Sequence, residues 1–316
     1  MLKSKTNLAI YGGKKTLTKS PKIYNPIGNE ELEIVNKVIK SGKLSEFIGS
    51  QGEGFLGGKY VKKFEKNIEQ YFSVKHAISF NSWTSGLIAS VGALGIEPGD
   101  EVILSPWTMS ACAMAILHWN AIPVFADIEE DTFCIDPNSI EQNISKYTKA
   151  IIAIDIAGQS ANISAINKIA KKYSLKVISD SAQSPGALYN KKFAGTLSDI
   201  GGFSFNYHKH INTGEGGVAV TNNDVLANKL RLIRNHAESV VDSNSSKEDL
   251  SNMIGFNFRL GEIEAAIGIE QLKKLKYQVK RKQKIASLLN RGLEKLEGLS
   301  TPTVRKNSTH VFYAYT

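Results

Sequence analysis

The chain alternates two hydrophobic patterns from residue 74 onward. Short runs rich in β-branched residues predict strands over 74–80, 101–104, 122–126, 150–156 and 175–179. The segments between them place apolar residues at helical spacing and predict helices over 85–94, 109–119, 137–145 and 161–173. Strands that alternate with helices in this way predict an α/β fold with a mostly parallel central sheet flanked by helices.

The pattern changes after Asp199. Two apolar runs predict strands on either side of a polar loop, and two helices follow; these segments cover 200–205, 217–221, 225–236 and 261–296. A further polar loop places a domain boundary near residue 245. We therefore expect an N-terminal arm, a large domain and a smaller C-terminal α/β domain, over 1–30, 31–245 and 246–316.

Length and composition are those of a globular protein. The 316 residues suffice for one large α/β domain and part of a second, and hydrophobic residues make up 42%. The net charge of +9 favours acidic partners, but no zinc-finger spacing or RNA-binding signature accompanies it, so we expect neither nucleic acid nor a metal. The sequence has no signal peptide and no apolar run of about 18 residues, so we expect a cytoplasmic protein without membrane contact.

Polar residues that follow the predicted strands are the candidates for chemistry, because ligands of parallel sheets bind beyond the C-terminal ends of the strands. Asp180 and Gln183 follow the strand 175–179, although an aspartate there is more often a helix cap or an ion-pair partner. Lys209 follows the strand 200–205 and precedes a glycine-rich turn, which lets the backbone approach a ligand closely.

Two further segments could contact a ligand. Thr84 and Ser85 lie where a strand joins a helix, and a helix N-terminus with hydroxyl groups can bind phosphate. The alternative for these residues is an ordinary helix cap. Trp107 follows the strand 101–104, where it could stack on a flat ring or belong to the core.

Together these residues suit pyridoxal 5′-phosphate (PLP). This cofactor needs an amine for a Schiff base, a carboxylate for its ring nitrogen, a phosphate site and a surface against its ring. Lys209 would supply the amine, and Asp180 would supply the carboxylate that keeps the ring nitrogen protonated. Burial and nearby positive charge lower the pKa of a lysine, which would leave Lys209 uncharged and able to attack an aldehyde.

Several motifs, in order along the chain, carry a resemblance to a known family. They are Pro98-Gly99-Asp100-Glu101-Val102, Ser179-Asp180-Ser181-Ala182-Gln183, Phe203-Ser204-Phe205 with Lys209, Gly214-Glu215-Gly216-Gly217 and Gly255-Phe256-Asn257-Phe258-Arg259. With these motifs the sequence resembles the DegT/StrS family of PLP-dependent sugar aminotransferases, which have the fold-type I aspartate-aminotransferase fold. The resemblance runs from about Asn29 to the end of the chain.

The resemblance implies the catalytic residues. Lys209 resembles the lysine that carries PLP and moves a proton during the reaction. Asp180 resembles the partner of the ring nitrogen, and Gln183 resembles the residue near the ring hydroxyl group.

The resemblance also implies the remaining cofactor contacts. Thr84, Ser85 and Ser204 resemble the phosphate ligands, and Trp107 falls where an aromatic residue stacks on the ring. Asn257 resembles the residue that reaches the phosphate from the neighbouring subunit, which implies a homodimer with shared active sites.

The sequence departs from the family's pattern in three places. Trp83 and Gly86 stand where the family usually has Gly and Ala, which allows a different arrangement of the phosphate loop. His210 stands where Asn usually follows the lysine, and the related sugar 3-dehydratases have His in place of the lysine and another His after it. Residues 310–316 resemble the start of a strand beyond which family members usually continue, so we expect an incomplete small domain.

The resemblance therefore implies an aminotransferase for amino-sugar or surface-polysaccharide biosynthesis. It would move an amino group from an amino acid, by resemblance L-glutamate, to a nucleotide-linked keto-sugar. Lys209 favours this reaction over PLP-dependent dehydration of a nucleotide sugar, which is the alternative among enzymes. A binding or regulatory protein that keeps the fold without turnover is the alternative outside them.

Overall fold

A computed structural model describes residues 8–20, 24–240 and 253–316 of the chain. Two helices, α1 (Asn29–Ser41) and α2 (Lys59–Phe72), precede the first strand. Strands and helices then alternate through β1 (His76–Phe80), α3 (Trp83–Ala93), β2 (Glu101–Leu104), α4 (Ala111–Leu117), β3 (Ile122–Phe125), α5 (Pro137–Gln142), β4 (Thr148–Ile154), α6 (Ile163–Lys172) and β5 (Lys176–Asp180). The remaining elements are β6 (Leu188–Tyr189), β7 (Lys192–Phe193), β8 (Ile200–Ser204), β9 (Gly217–Thr221), α7 (Asp224–Arg234) and α8 (Glu262–Leu293).

Seven of the strands form one sheet in the order β1-β9-β8-β5-β4-β2-β3. The five strands from β8 to β3 pair in parallel, whereas β9 runs antiparallel to both of its neighbours, β8 and β1. The short strands β6 and β7 form a separate hairpin. The predicted fold, a mostly parallel sheet within an α/β architecture, is thereby confirmed.

The sheet separates two hydrophobic cores. Val218 and Val220 of β9 belong to the core shared with α2 and α8, whereas Ala219 between them faces the core shared with α3 and α7. This arrangement follows from the alternation of side chains along a strand, which places successive residues on opposite faces. Both faces are therefore covered, which explains why the strand is buried at every position.

A buried carboxylate fixes α2 against the start of α8. Glu262, the first residue of α8, accepts hydrogen bonds from the backbone N–H groups of Gly58, Tyr60 and Val61 at 3.1, 2.7 and 3.4 Å. These groups lie at the start of α2, where backbone N–H groups have no partner within the helix. Their partial positive charge favours a carboxylate at this position.

The predicted elements differ from the observed ones mainly at their ends. The predicted helix 109–119, for example, is observed as α4 over Ala111–Leu117. The predicted strand over 310–316 is wrong. The N–H groups of Val311 and Ala314 instead bond to carbonyl groups of the 3-10 turn Ile156–Gly158, at 2.7 and 3.2 Å, so this segment follows an irregular path.

The predicted boundary near residue 245 lies outside the described residues, so the division into domains stays a prediction. The described residues after that point contribute α8 and isolated bridges but no strand. Within the described ranges, the helices are all too short or too polar to cross a membrane.

Candidate active site

A cavity of about 420 Å³ lies at the edge of the sheet where the parallel strands end. Residues that follow β1, β2, β5 and β8 line it, as the topology predicts for a parallel sheet. Five residues predicted for the site line this one cavity, although they are widely separated along the chain. They are Thr84, Asp180, Gln183, Ser204 and Lys209.

Lys209 lies in the loop between β8 and β9. Its Nζ atom lies 4.5 Å from the centre of the Tyr313 ring. Burial lowers the pKa of Lys209, and the negative charge of Asp180 opposes this shift without cancelling it. The neutral amine is therefore easier to reach at Lys209 than at an exposed lysine, as a nucleophile or a base requires.

Asp180 ends β5 and lines the cavity, with only 6% of the residue exposed. Its Oδ1 atom accepts hydrogen bonds from Trp83 Nε1 at 2.8 Å and from the backbone N–H of Ala182 at 3.0 Å. Its Oδ2 atom accepts one from the thiol of Cys112 at 3.0 Å. Donors to both oxygens fix the orientation of the carboxylate beside the cavity.

The N-terminus of α3 supplies the place for an anion. Ser82 caps this helix, since its Oγ atom accepts from the backbone N–H of Ser85 at 3.1 Å. Ser82 and Thr84 line the cavity, whereas Ser85 is buried behind Ser82 with the two Oγ atoms 3.0 Å apart. A helix start with hydroxyl groups in a cavity is suited to a phosphate.

Gln183 and Ser204 complete the part of the site that the sequence predicts. Gln183 Oε1 accepts a hydrogen bond from the backbone N–H of Ala157 at 2.7 Å, which fixes the amide beside the cavity. Ser204 ends β8 and is only 7% exposed, and its Oγ atom accepts from the backbone N–H of Asn206 at 3.3 Å.

Trp107 and Asn257 do not line the cavity of their own chain. Trp107 is 56% exposed and its ring lies 6.3 Å from the ring of Phe133. Asn257 is exposed and forms an isolated antiparallel bridge with Asn235. Their proposed contacts with the cofactor ring and with a neighbouring subunit's phosphate stay predictions.

The structure adds lining residues that the sequence did not reveal. Tyr313 reaches the cavity from the C-terminal segment, about a hundred residues from Lys209, so local pattern contains no signal for it. Asn206 was also missed, although its position just after β8 could have indicated it.

The two histidines beside Lys209 have different positions. His208 lines the cavity, whereas His210 is buried outside it and its Nε2 donates to the carbonyl oxygen of Val311 at 2.9 Å. Burial lowers the pKa of His210 to about 4, so this side chain is neutral at neutral pH. His210 therefore holds the segment that carries Tyr313, and it does not face the cavity as a second catalytic group.

The chemistry of the cavity fits PLP. Its partly buried amine suits the carbon of PLP that reacts with amines, and its hydrogen-bonded carboxylate suits the ring nitrogen. Its helix N-terminus suits the phosphate. Within the described residues, Asn206 Oδ1 is buried without a hydrogen-bond partner, and Asn206 lines this cavity. A bound ligand can therefore satisfy an acceptor that the protein leaves unpaired.

The fold and the cavity thus define a PLP-dependent enzyme of the aminotransferase class. The particular family follows from sequence: the chain belongs to the DegT/DnrJ/EryC1/StrS aminotransferase family, whose model matches residues 27–316. The predicted family, enzyme class and cofactor are thereby confirmed.

Individual relatives also indicate an aminotransferase of this family. The chain is 35% identical to the spore coat polysaccharide biosynthesis protein SpsC of Bacillus subtilis, over 92% of this chain and 73% of the relative. It is 37% identical to a GDP-perosamine synthase of Caulobacter vibrioides, over 82% of this chain and 69% of the relative. Among solved structures it is similar to Helicobacter pylori PseC, an aminotransferase involved in the biosynthesis of pseudoaminic acid. That match has a TM-score of 0.79 and 32% identity, over 92% of this chain and 74% of the other.

Proposed function

We propose that this chain transfers an amino group from an amino acid to a keto-sugar that is linked to a nucleotide. The main support for the proposal is that Lys209, Asp180 and the start of α3 all line one cavity. The names of its relatives support a sugar as the acceptor, since they include a GDP-perosamine synthase and a polysaccharide biosynthesis protein. For the amino donor we propose L-glutamate, on the family resemblance alone.

Each residue of the cavity has a role in this proposal. When bound, PLP supplies a conjugated ring that stabilises negative charge on the substrate carbon next to the amine. Lys209 would hold the cofactor through Nζ, and its Nζ, when free, would take a proton from that substrate carbon and return one. Asp180 would hold a proton at the ring nitrogen, and the start of α3 with Ser82 and Thr84 would hold the phosphate.

Dehydration of a nucleotide sugar is not favoured by any contact in the described part of the chain. Lys209, the residue that separates the two reactions in the family resemblance, lies in the cavity with the lowered pKa that a proton carrier needs. His210, the residue similar to the dehydratases, is buried outside the cavity and bonded to Val311.

The assignment of Lys209 is tested by chemical reduction. Borohydride should fix PLP covalently to wild-type protein, and mass spectrometry of its peptides should locate the pyridoxyl group on Lys209. Lys282→Ala is the matched control, because Lys282 is a second lysine whose pKa is lowered by burial and its Nζ lies 5.8 Å from the same Tyr313 ring. Lys209→Ala should lose the adduct and Lys282→Ala should keep it; an adduct that persists in Lys209→Ala contradicts the assignment.

Asn257 provides the basis for a second part of the proposal, a homodimer with shared active sites. The residue is exposed and lies outside the cavity of its own chain, as a residue that serves a neighbouring subunit would. In a twofold dimer the exchange is reciprocal, so each subunit completes the other's site.

Mixing two inactive variants tests this arrangement. Asn257→Ala and Lys209→Ala subunits, each impaired alone, should regain activity together, because one site of the heterodimer then carries neither defect. If Asn257 acts within its own chain, every site keeps a defect and mixing restores nothing. Sedimentation of the wild-type protein as a monomer would also rule out shared sites.

A further inference from the structure

The carboxylate of Asp180 is held by side chains from two helices. Trp83, in the first turn of α3, donates its indole N–H to Oδ1 at 2.8 Å. Cys112, on α4, donates its thiol proton to Oδ2 at 3.0 Å. Both side chains are buried, with 4% of Trp83 and none of Cys112 exposed. Each of the two oxygens is thus fixed by a buried side-chain donor.

The position of Trp83 depends on one glycine of its own helix, α3, and one of the neighbouring strand β8. A Cβ atom added to Gly202 of β8 would lie 2.0 Å from the Trp83 ring, and one added to Gly86 would lie 2.6 Å from it. Real Cβ atoms essentially never approach another atom so closely, so any larger residue would displace the indole. The chain therefore provides a fitted space that directs this N–H group at Asp180.

The Asp180 carboxylate keeps part of its hydrogen-bond acceptor capacity for a ligand. A carboxylate offers about four acceptor positions, and the backbone N–H of Ala182, Trp83 and Cys112 occupy three of them. About one position is left, and Asp180 lines the cavity.

Neither Trp83 nor Cys112 can become a hydrogen-bond acceptor toward Asp180. The indole N–H has no acceptor capacity. Burial, followed by the neighbouring charge of Asp180, raises the pKa of the Cys112 thiol well above its ordinary value, so the thiol keeps its proton. The group that meets the remaining position from the cavity must therefore also be a donor.

We propose that Trp83 and Cys112 are positioning residues that orient the Asp180 carboxylate, so that its free acceptor position selects a protonated ring nitrogen. The proposal rests on the function proposed above, since it presupposes that Asp180 pairs with that nitrogen. It predicts that the contribution of Trp83 to cofactor affinity depends on the ring nitrogen being present.

An analogue of PLP with carbon in place of the ring nitrogen separates this role from a structural one. Trp83→Phe removes the N–H group and keeps an aromatic ring in the same space. It should weaken the binding of PLP by about tenfold, measured by equilibrium dialysis, because a hydrogen bond to a charged group is lost. The same substitution should change the affinity for the carbon analogue by less than about twofold, since the analogue makes no use of that acceptor.

Trp119→Phe is the matched control. Trp119 also donates its indole N–H, at 2.8 Å, but to the carbonyl oxygen of Ile88. This substitution should leave the affinities for both ligands unchanged. Two substitutions of Cys112 give an independent test. Cys112→Ala should weaken the binding of PLP but not of the carbon analogue. Cys112→Ser, which keeps a donor, should bind PLP nearly as tightly as wild-type protein.

The outcomes separate this inference from the proposed function. If wild-type protein binds both ligands equally well, Asp180 does not pair with the ring nitrogen, and both proposals for Asp180 fail. If wild-type protein prefers PLP but Trp83→Phe and Cys112→Ala weaken both ligands equally, the two residues are structural and only this inference fails. Unchanged affinity for PLP in these two variants would overturn it as well.

Discussion

Acid should destabilise this protein through buried imidazoles, because burial lowers the pKa of both His210 and His310 to about 4. His210 is 3% exposed, and its Nε2 donates to Val311 in the segment that carries Tyr313. Burial, and then the nearby positive charges of Lys282 and Lys209, lower its pKa to about 4 from an ordinary 6.5. The substitution His210→Asn removes the titrating group and introduces the residue that usually follows the lysine in this family.

The sign and size of the effect follow from this shift. The unfolded chain takes up a proton near pH 6.5, whereas the folded chain resists it until about pH 4. The contribution to stability is therefore fully present above about pH 6.5 and is lost as the pH falls toward 4. At pH 5 the loss from His210 is about 2 kcal/mol relative to pH 7.5, since one pKa unit corresponds to about 1.4 kcal/mol.

Urea unfolding at a fixed protein concentration measures this difference. Between pH 7.5 and pH 5, His210→Asn should lose about 2 kcal/mol less stability than wild-type protein. His118→Asn, in which an exposed histidine is replaced, should follow the wild-type curve. Parallel curves for His210→Asn and wild-type protein would show that His210 does not couple stability to pH.

Two buried carboxylates lead to further predictions. Glu262→Ala should lower the free energy of unfolding by about 2 kcal/mol, because the N–H groups at the start of α2 lose a charged acceptor. Glu262→Gln, which keeps an acceptor, should lower it by less. Equal losses of the two variants in urea unfolding would contradict this reasoning. Arg234→Met should cost about 3 kcal/mol or more, since Arg234 Nη1 donates to Glu65 at 2.6 Å in the core and its loss leaves a buried charge unpaired. Adding Glu65→Gln to that variant should recover part of the loss in the same assay, and a purely additive double variant would contradict the pairing.

The sheet could be predicted from sequence because its strands are buried on both faces. Such strands appear as short apolar runs, and β2 and β9 were placed with both ends correct. The helix α2 also carries a sequence signal, because Val61, Phe64, Ile68 and Phe72 recur at helical spacing, although it lies before the alternating region and is not among the predicted elements. Helix ends were less accurate, because capping groups rather than hydrophobic pattern decide where a helix stops.

Whether a cavity residue can be predicted from sequence depends on which segment brings it to the cavity. Asp180 and Lys209 were found because each follows a predicted strand, and the topology of a parallel sheet brings such positions to one edge. Tyr313 was not found, because its place depends on how the C-terminal segment crosses the sheet edge and on the bond between His210 and Val311. Long-range packing of this kind leaves no periodic trace in the sequence.

Trp83 shows why an unusual residue in a motif is informative only together with the fold. From sequence it is a departure from the family's pattern that allows a different arrangement of the phosphate loop. In the structure the indole fills the space left by Gly202 on β8 and directs its N–H group at Asp180. A larger residue at position 202 would close this space, so the tryptophan and the glycine, far apart in sequence, depend on each other. The carboxylate that the sequence identifies is thus oriented by contacts that only the packing of α3 and α4 on the sheet reveals.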